Sequence, residues 1–546
     1  MKYGLFILLS LFMLQACDVE DKGNYDYIPV NGVAIEIPDT MRDQRLERNM
    51  DTLRINPEVK GDIYGENEEN YEYKWFFCSG NTHQHTVVGT EKNLEWPVSF
   101  KPGSYVLYFQ IIDKSTGLEW LTSTSLTVFS ELTQGWLLLG EVENQLVRLD
   151  MLAIKADGSF VLAENIFDNS ELQLKGAKDM IYAGRRAQDV PHHLWVMTEE
   201  KDMKLTWGSN FLPLGEFHEM LAVEEMEVSH ETPRIRDMFP RQTAIYGSYM
   251  NTMRSYRNRG IVTDKAIYMT TVTHSENPEI YVNPMNRYEA TSKEFFKPYP
   301  MAFVLGGAGI NGNLNPLFYD MDAECFVKPV APYGSSALNC VKLVDRPGDP
   351  FPWNQNKRTI VYGENLINST SDYVCNCAAL MKDKEGENIN HYVYTFRPPG
   401  AGMFWGTIGT PTKVQGYTID KTVAIDFDKA THYTFASRGN VLLYSVGSIL
   451  YAYDYSYKTL TSMDMGKEIC CISGDFVRFG AASYWVATYD ESSGTGELRY
   501  LELGGANKPE LIYDEEDCWP VTLKIKKIEW KYGDDPAEEE PEEEGK

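Results

Sequence analysis

The chain has little basic charge for its length. Its 546 residues carry 51 Lys and Arg against 79 Asp and Glu, which gives a formal net charge of −28 at pH 7. A nucleic-acid-binding surface needs a basic footprint, so this balance excludes nucleic acid as an expected partner. Part of the negative charge is local, because residues 534–546 hold eight acids and one lysine. A segment of this composition cannot bury a core, and we predict a disordered acidic tail over residues 533–546.

Catalytic and cofactor-binding signatures are also missing. The sequence contains no His-Glu-x-x-His, no Gly-x-Ser-x-Gly and no phosphate-binding lysine loop, the patterns of zinc hydrolases, serine hydrolases and P-loop enzymes. The glycines Gly307-x-Gly309-x-x-Gly312 have the spacing of a dinucleotide-binding motif. Such a site needs a helix to begin directly after the glycines, but here turn-forming residues follow. We therefore expect no metal, no cofactor and no enzymatic activity. Carboxylates are abundant, so a glycosidase-like acid–base pair stays an alternative, although no pair stands out.

Long hydrophobic runs are absent after the N-terminus. There, 12 uncharged residues at 3–14 follow Lys2; this run is too short to span a bilayer and is typical of a secretory signal. The next motif, Leu14-Gln15-Ala16-Cys17, resembles the bacterial lipobox. That resemblance implies a signal peptide over residues 1–16 and an acylated Cys17, and two or more acyl chains anchor a protein stably. An ordinary signal peptide with an incidental cysteine is the alternative.

Zinc-ligand cysteine spacing is absent as well. Besides Cys17 the chain has eight cysteines, with no Cys-x-x-Cys pair. An even number in an exported protein allows disulfides. We expect most of these cysteines to be buried free thiols.

Helical periodicity is scarce, whereas aromatic residues are frequent. Aromatic side chains make up 13% of the chain, with 34 tyrosines, and short apolar runs alternate with Gly, Asn, Asp and Pro. This pattern predicts a mostly β fold. The length is too great for one ordinary core, so two or more domains are expected.

Residues 29–130 are predicted to form an immunoglobulin-type β-sandwich. Strand patterns occur at 33–37, 71–77, 104–112 and 123–129, a number and spacing typical of such a module. Residues 101–117 also resemble the penultimate hairpin of PKD repeats. The aromatic-Asp-aromatic-Gly-Asp-Gly signature of true PKD domains is absent, so the module is PKD-like.

Residues 131–532 show a different, repeating pattern of strand, polar turn and strand. Seven such hairpins begin near residues 136, 194, 267, 317, 373, 441 and 484, a mean step of (484 − 136)/6 = 58 residues. One hairpin cannot bury its apolar face alone, so radial stacking of sheets predicts a β-propeller of about seven blades. In the late segment 521–530, apolar and polar residues alternate up to residue 525, and the apolar positions then shift by one residue at Ile528 and Trp530. We expect this segment to pair with the first blade. A series of β-sandwich modules is the alternative, but clear linkers are absent.

The start of the mature chain carries the most specific resemblance. Residues 21–27, Asp-Lys-Gly-Asn-Tyr-Asp-Tyr, resemble the opening of PKD-like family lipoproteins of Bacteroidetes. This resemblance implies an outer-membrane lipoprotein associated with SusC/SusD-type TonB-dependent importers, without an established activity. Asp18, Glu20 and Asp21 resemble the surface-export signal of lipoproteins in that phylum, which implies that the protein faces the cell exterior. A solvated linker over residues 17–28 is the alternative explanation of these acids.

Two groups of side chains are candidates for ligand or partner binding. The first group is the basic loop 253–260, which contains Arg254, Tyr256, Arg257 and Arg259. Arginine offers a planar fork for carboxylates and stacks on rings, so this loop could bind a ligand or partner. The alternative is that these arginines form surface salt bridges within the protein. Aromatic rings in Pro/Gly-rich loops can stack on sugars or contact a partner, or else fill gaps between blades; these are Trp353, Phe404 and Trp405.

Together these features predict an accessory lipoprotein of the outer membrane. We expect it to bind a peptide or glycan nutrient, or to dock on a SusC/SusD-type importer, with the lipid holding it at the membrane. A propeller hydrolase or lyase acting on glycan is the first alternative. An adhesin or structural surface protein is the second.

Overall fold

The computed structural model describes nineteen stretches of the chain. These are residues 30–48, 51–65, 67–78, 85–100, 103–129, 134–155, 158–183, 193–206, 211–221, 233–239, 258–271, 280–281, 284–304, 316–330, 338–366, 376–399, 409–437, 439–474 and 483–531. The predicted signal peptide, Cys17 with Asp18, Glu20 and Asp21, and the predicted acidic tail lie outside them. In these stretches no helix has the length and apolarity needed to cross a membrane. The chain divides into two compact units, Met1–Ser130 and Glu131–Lys546.

The described part of the N-terminal unit contains nine strands. They are β1 (Val33–Glu36), β2 (Gln44–Glu47), β3 (Thr52–Ile55), β4 (Glu58–Gly61), β5 (Tyr71–Cys78), β6 (His85–Gly89), β7 (Leu94–Pro97), β8 (Gly103–Asp113) and β9 (Glu119–Phe129). Five of them form one sheet in the order β2–β9–β8–β5–β6, with β2 parallel to β9, and the pairs β1–β4 and β3–β7 complete the unit. The four predicted strands are confirmed as β1, β5, β8 and β9.

The core of this unit lies between the large sheet and the two strand pairs. Trp75 on β5 is fully buried and stacks on Phe109 of β8, with ring centroids 4.2 Å apart. Leu53, Ile55 and Val59 from the smaller pairs pack into the same cluster. Alternation on β5 and β8 therefore directs large apolar side chains inward, as a β-sandwich requires.

In its described residues, the C-terminal unit contains twenty-six strands. They are β10 (Gly135–Glu141), β11 (Val147–Ile154), β12 (Phe160–Ala163), β13 (Ala177–Ala183), β14 (His193–Thr198), β15 (Asp202–Thr206), β16 (Pro213–Glu216), β17 (Ile235–Phe239), β18 (Asn258–Thr263), β19 (Ile267–Thr271), β20 (Phe318–Asp320), β21 (Cys325–Pro329), β22 (Cys340–Lys342), β23 (Arg358–Leu366), β24 (Asn376–Asp383), β25 (His391–Arg397), β26 (Thr412–Thr418), β27 (His432–Phe435), β28 (Val441–Val446), β29 (Ile449–Asp454), β30 (Thr459–Asp464), β31 (Glu468–Gly474), β32 (Ser483–Asp490), β33 (Thr495–Gly504), β34 (Glu510–Val521) and β35 (Lys524–Lys531). Short 3-10 turns lie at Asp39–Met41, Glu68–Asn70, Glu143–Gln145, Phe217–Met220 and Phe427–Lys429. The chain is mostly β, as predicted.

These strands form seven antiparallel sheets in chain order. Sheet 1 has the order β12–β11–β10–β35, sheet 2 is β13 to β16, sheet 3 is β17 to β19, sheet 4 is β20 to β22, sheet 5 is β23 to β26, sheet 6 is β27 to β30 and sheet 7 is β31 to β34. In sheet 4, Pro298 and Phe303 also pair with Asp320 and Leu317. The last strand, β35, pairs with β10, so the predicted return to the first sheet is confirmed.

Each sheet packs its apolar face on the next. Leu149 of sheet 1 and Leu194 of sheet 2 share one buried cluster, and equivalent clusters join each following pair up to sheets 6 and 7. A further cluster joins Trp485 of sheet 7 to Leu138 of sheet 1. Sheets 7 and 1 therefore also pack on each other.

Six of the seven predicted hairpins are confirmed. Residues 272–279 of the third predicted hairpin lie outside the described residues; within the described residues, β19 pairs with the preceding strand β18. Residues 263–266 form a tight turn in which the Thr263 hydroxyl accepts the amide N–H of Ala266, with Oγ1 and N 2.8 Å apart. This local bond joins the two strands.

Candidate functional site at the inner strands

Six strands from six different sheets lie side by side and form one continuous wall. Each is the strand at one end of its sheet, and they lie beside one another: β35 next to β13 and β31, β13 next to β17, and β27 next to β23 and β31. We call β13, β17, β23, β27, β31 and β35 the inner strands. Side chains from separate parts of the sequence meet along this wall.

Five inner strands contain a β-bulge at an equivalent point. In β13 the residues Ala177 and Asp179 pair with consecutive partners on β14, so that Lys178 is the extra residue. By the same criterion, the extra residues are Arg236 in β17, Val361 in β23, Cys470 in β31 and Lys526 in β35. A bulge leaves one residue unpaired and redirects its side chain, a feature common next to binding sites.

Three neighbouring bulges, on sheets 1, 2 and 3, carry basic residues. Lys526 is paired with Glu141 at 3.4 Å, and Lys178 is paired with Glu199 at 2.7 Å. The hydrogen bond from Lys178 lowers the pKa of Glu199, and the charge of Lys526 adds to this effect. Arg236 is exposed, and no ion pair joins it to the described part of the chain.

The inner strands have a different charge balance from the whole protein. They carry seven Lys and Arg against five Asp and Glu, a formal balance of +2, whereas the chain carries −28. Four of the seven cations come from β35, whose sequence is Lys-Ile-Lys-Lys-Ile-Glu-Trp-Lys. A basic region within an acidic body concentrates field lines that attract anions.

Below the bulges, polar side chains join one sheet to the next. Lys527 on β35 contacts Asp179 on β13, with Nζ and Oδ1 3.2 Å apart. Asp237 on β17 accepts the amide N–H of Ala302 at 2.8 Å. Asn365 on β23 donates to the carbonyl of Ala302 at 3.1 Å. These bonds fix the relative positions of the inner strands, because each one satisfies a polar group at a junction.

Two carboxyl groups at these junctions have a raised pKa. Burial raises the pKa of Asp202 to about 6, although the Ile235 amide and the charges of Arg234 and Arg236 act in the opposite direction. Asp202 Oδ2 accepts the Ile235 amide at 2.8 Å, which joins sheets 2 and 3. Because Arg236 acts on the pKa of Asp202, its positive charge lies close to the junction of sheets 2 and 3.

Glu364 on β23 is the second of these carboxyl groups. Burial raises its pKa to about 7, opposed by hydrogen bonds and by the charge of Lys527. Glu364 accepts the Phe435 amide at 2.7 Å, the Thr434 hydroxyl at 3.2 Å and the Tyr362 hydroxyl at 3.1 Å. With three donors in place, Glu364 joins sheets 5 and 6 and is held in one orientation.

The sequence-predicted basic loop falls largely outside the described residues. Arg254, Tyr256 and Arg257 lie there, as do the aromatic candidates Phe404 and Trp405. Arg259 is on β18, opposite Thr270 of β19. The structure therefore does not bring these predicted residues together into one described site.

Trp353 lies in the core between sheets 4 and 5. It is 3% exposed, and its ring meets Phe326, Phe351 and Phe396 edge to face at centroid distances of 5.0, 5.1 and 5.5 Å. This environment gives Trp353 a packing role, the alternative considered for these aromatic loops. We do not include it in the candidate site.

Lys413 secures the loop that carries Trp353. Its Nζ lies 2.6 Å from both Asp345 and Asp349, and 5.1 Å from the Trp353 ring centroid. Hydrogen bonds, first among them that from Lys413, lower the pKa of Asp349. For Asp345, burial acts to raise the pKa, but Lys413 and the Trp353 and Asn354 amides outweigh it and the pKa is lowered. Lys413 is thus fully engaged within the protein.

The basic bulges were not predicted from the sequence, although the sequence contains two signals of them. Lys178-Asp179-Met180 on β13 and Arg236-Asp237-Met238 on β17 are near repeats in adjacent sheets. The phase shift before Ile528 corresponds to the extra residue Lys526, since the pairing of β10 with β35 slips there by one residue. A search for repeated phase shifts could have found these positions.

Cysteines and metal-binding groups add no further chemistry among the described residues. Cys325, Cys340, Cys377 and Cys471 are buried free thiols, as predicted, and Cys470 and Cys518 are half-buried free thiols. No cluster of three His, Cys, Asp or Glu suited to a metal occurs in this part of the chain.

Comparison with known proteins finds similar solved structures and one family. A quinonprotein alcohol dehydrogenase-like protein from Bacteroides thetaiotaomicron shares 10% identity at a TM-score of 0.43, over 91% of this chain and 100% of that one. The WD40 domain of SCAP from fission yeast shares 8% identity at 0.30, over 70% and 90%. The extracellular domain of a one-component-system protein from B. thetaiotaomicron shares 9% identity at 0.25, over 88% and 66%. No curated protein matches the chain. Residues 18–172 match the model of the PKD-like family, so that the N-terminal unit is PKD-like.

Proposed function

We propose that the C-terminal unit is a seven-bladed β-propeller with the inner strands around its axis. The order of the seven sheets, the pairing of β35 with β10 and the cluster joining sheet 7 to sheet 1 support this architecture. In such a fold the first strands of the blades line a central channel. The bulge residues then lie at one mouth of that channel.

We further propose that the chain is a lipid-anchored protein of the outer membrane that faces the cell exterior. The lipobox-like residues 14–17 and the acids that follow them support this location. Lipid anchoring confines a binding protein to a surface, so that a captured ligand stays at high effective concentration near a transporter.

At this surface, we propose, the protein binds a nutrient ligand, peptide or glycan, without converting it. One observation carries the proposal: three adjacent inner strands place Lys526, Lys178 and Arg236 at aligned bulges, with Arg236 exposed and outside any described ion pair. The rival hydrolase requires a carboxyl pair that is free to act on substrate. Asp202 and Glu364 have raised pKa values, but both are engaged in bonds between sheets.

The binding proposal is tested with the full mature chain carrying Cys17→Ser, so that lipid does not contribute. A panel of neutral and acidic glycans and peptides is screened by calorimetry, and hydrogen–deuterium exchange then maps any ligand that binds. We expect protection of the amides at 177–180, 235–238 and 525–528. Failure of every panel member to bind, or protection confined to other segments, overturns the proposal. Turnover of a bound ligand overturns the non-enzymatic assignment.

The location and partner proposals have their own tests. Protease added to whole cells is expected to degrade the protein, whereas full protection contradicts exposure on the cell surface. Pull-down of the lipidated chain from outer membranes tests docking on a SusC/SusD-type importer. Recovery of the chain without an importer overturns that docking.

A further inference from the structure

The three basic bulges form a pattern that the overall composition does not account for. Lys and Arg together are 51 of 546 residues, about one in eleven, yet they occupy the bulge on each of the three consecutive sheets 1, 2 and 3. The bulges of sheets 5 and 7 hold Val361 and Cys470. The cations thus form one arc on one side of the inner wall.

The charges of this arc act on a shared set of acidic groups. The charges of Lys178 and Lys526 both lower the pKa of Glu199. The charge of Arg236 acts to lower the pKa of Asp202, three residues later, against the effect of burial. The turn between β14 and β15 therefore lies within reach of all three cations. Lys178 and Lys526 have side chains 48% and 30% exposed, so that they remain open to a second anion beside their acidic partners.

We propose that the ligand of this site is an acidic polysaccharide whose sugars carry carboxylates, as in a polyuronate. This inference rests on the proposed function of ligand binding at the inner strands. The guanidinium of Arg236 can hold one carboxylate through two parallel hydrogen bonds. Lys178 and Lys526 supply point charges for neighbouring carboxylates along the same chain.

A repeating cation array favours a ligand with repeating anions over a ligand with one. The carboxyl terminus of a peptide provides a single carboxylate, which one arginine can satisfy. A polyuronate carries a carboxylate on every sugar and no cations, so that it can contact three neighbouring strands at once. The acidic remainder of the chain repels such a polymer elsewhere and thereby restricts it to this arc.

The test compares three probes on the full mature chain with Cys17→Ser. They are an oligogalacturonate, the same oligomer with its carboxylates methyl-esterified, and polyglutamate of equal charge. We expect the oligogalacturonate to bind and the ester to bind at least tenfold more weakly. Polyglutamate also has repeating carboxylates, but its flexible chain loses more conformational entropy on binding, so we expect it to bind more weakly than the oligogalacturonate. Added salt is expected to weaken the first interaction, because exposed charges are screened.

Matched variants locate the binding. Arg236→Gln is expected to weaken oligogalacturonate binding about tenfold or more, as the loss of a charge-assisted contact implies, and Lys178→Gln with Lys526→Gln to weaken it further. Arg54→Gln is the control, since Arg54 is 63% exposed on the N-terminal unit. Melting curves verify that each variant is folded.

The outcomes separate this inference from the function on which it rests. Equal binding of acid and ester, or of Arg236→Gln and the parent chain, overturns the inference while ligand binding stands. Equal binding of polyglutamate overturns the choice of a glycan. If neither these probes nor the wider panel bind, the proposed function itself fails.

Discussion

Two regions of the C-terminal unit combine basic and acidic side chains with opposite results. In the aromatic loop, Lys413 is 5% exposed and lies between two aspartates above the Trp353 ring. At the inner strands, Arg236 is exposed at a bulge. The neighbouring lysines are paired with glutamates but are also partly exposed to solvent. Lys413 is thus fully paired within the fold, whereas Arg236 has no ion pair with the described residues.

The difference shows that residue type alone does not identify a binding site. The aromatic loop has the composition of a ligand platform, yet its rings pack between sheets 4 and 5. The inner strands are inconspicuous in sequence, yet pairing and bulges bring their charges together. Substitutions in the two regions are expected to separate stability from binding.

The largest effect on stability is expected from Trp353→Ala in the aromatic loop. Removal of a 3% exposed indole from the cluster between sheets 4 and 5 leaves a cavity and costs about 3–5 kcal/mol of unfolding free energy. Denaturant unfolding measures this loss. Tyr457→Ala, at a 60% exposed tyrosine, is the control and is expected to change stability little. An unchanged midpoint with lost ligand affinity would reverse the assignment of Trp353.

A smaller loss is expected from Lys413→Met, which keeps the aliphatic stem over the rings but removes the charge. The substitution leaves Asp345 and Asp349 without their shared cation, and we expect a loss of stability at pH 7 that is smaller than that of Trp353→Ala, since both acids are partly solvated. The pKa of each acid is lowered in the folded protein. Their ionised forms therefore stabilise the parent chain at neutral pH, and this stabilisation disappears as the pH falls through the lowered values.

Unfolding of Lys413→Met and the parent chain at several pH values checks this sign. The stability difference is expected to be largest near neutral pH and to shrink below the ordinary carboxyl pKa of about 3.9. Lys429→Met is the matched control, because Lys429 pairs with one aspartate at an exposed site. A difference that grows on acidification would contradict the role given to Lys413.

The sequence predicted much of the fold but little of the candidate site. The alternation of apolar and polar residues was sufficient to predict β5, β8 and β9. The shift of this alternation before Ile528 corresponds to the bulge in β35. The pairing of β19 with β18 was not predicted, because a local turn at residues 263–266 determines it. Arg236 could not be assigned, since its neighbours come from residues far apart in sequence that meet only when the sheets pack.

A pH-dependent effect is expected at the inner strands from Glu364→Gln. Because burial raises the pKa of Glu364 to about 7, the folded parent chain holds a proton between pH 4.5 and 7 that the unfolded chain releases. This carboxyl therefore makes the parent chain less stable as the pH rises, by at most about 1.4 kcal/mol per pH unit. Relative to the parent, Glu364→Gln is expected to gain stability from pH 5 to 7 and then level off. A difference in unfolding free energy that is independent of pH would contradict this protonation.

The smallest effect on stability, and the sharpest contrast with Trp353, is expected from Arg236→Gln. The side chain is exposed, and its described surroundings offer no ion pair that the substitution would break. Loss of its charge also removes an influence that opposes the raised pKa of buried Asp202, so a slight shift is expected, within about 0.5 kcal/mol of unfolding free energy. Parallel unfolding and ligand titrations check both quantities. Near-parent stability with weakened binding of acidic ligand would place the function at the bulge. If Arg236 acted on binding only through packing, its substitution would lower the stability together with the affinity. A large loss of stability would instead make Arg236 part of the scaffold, like Lys413.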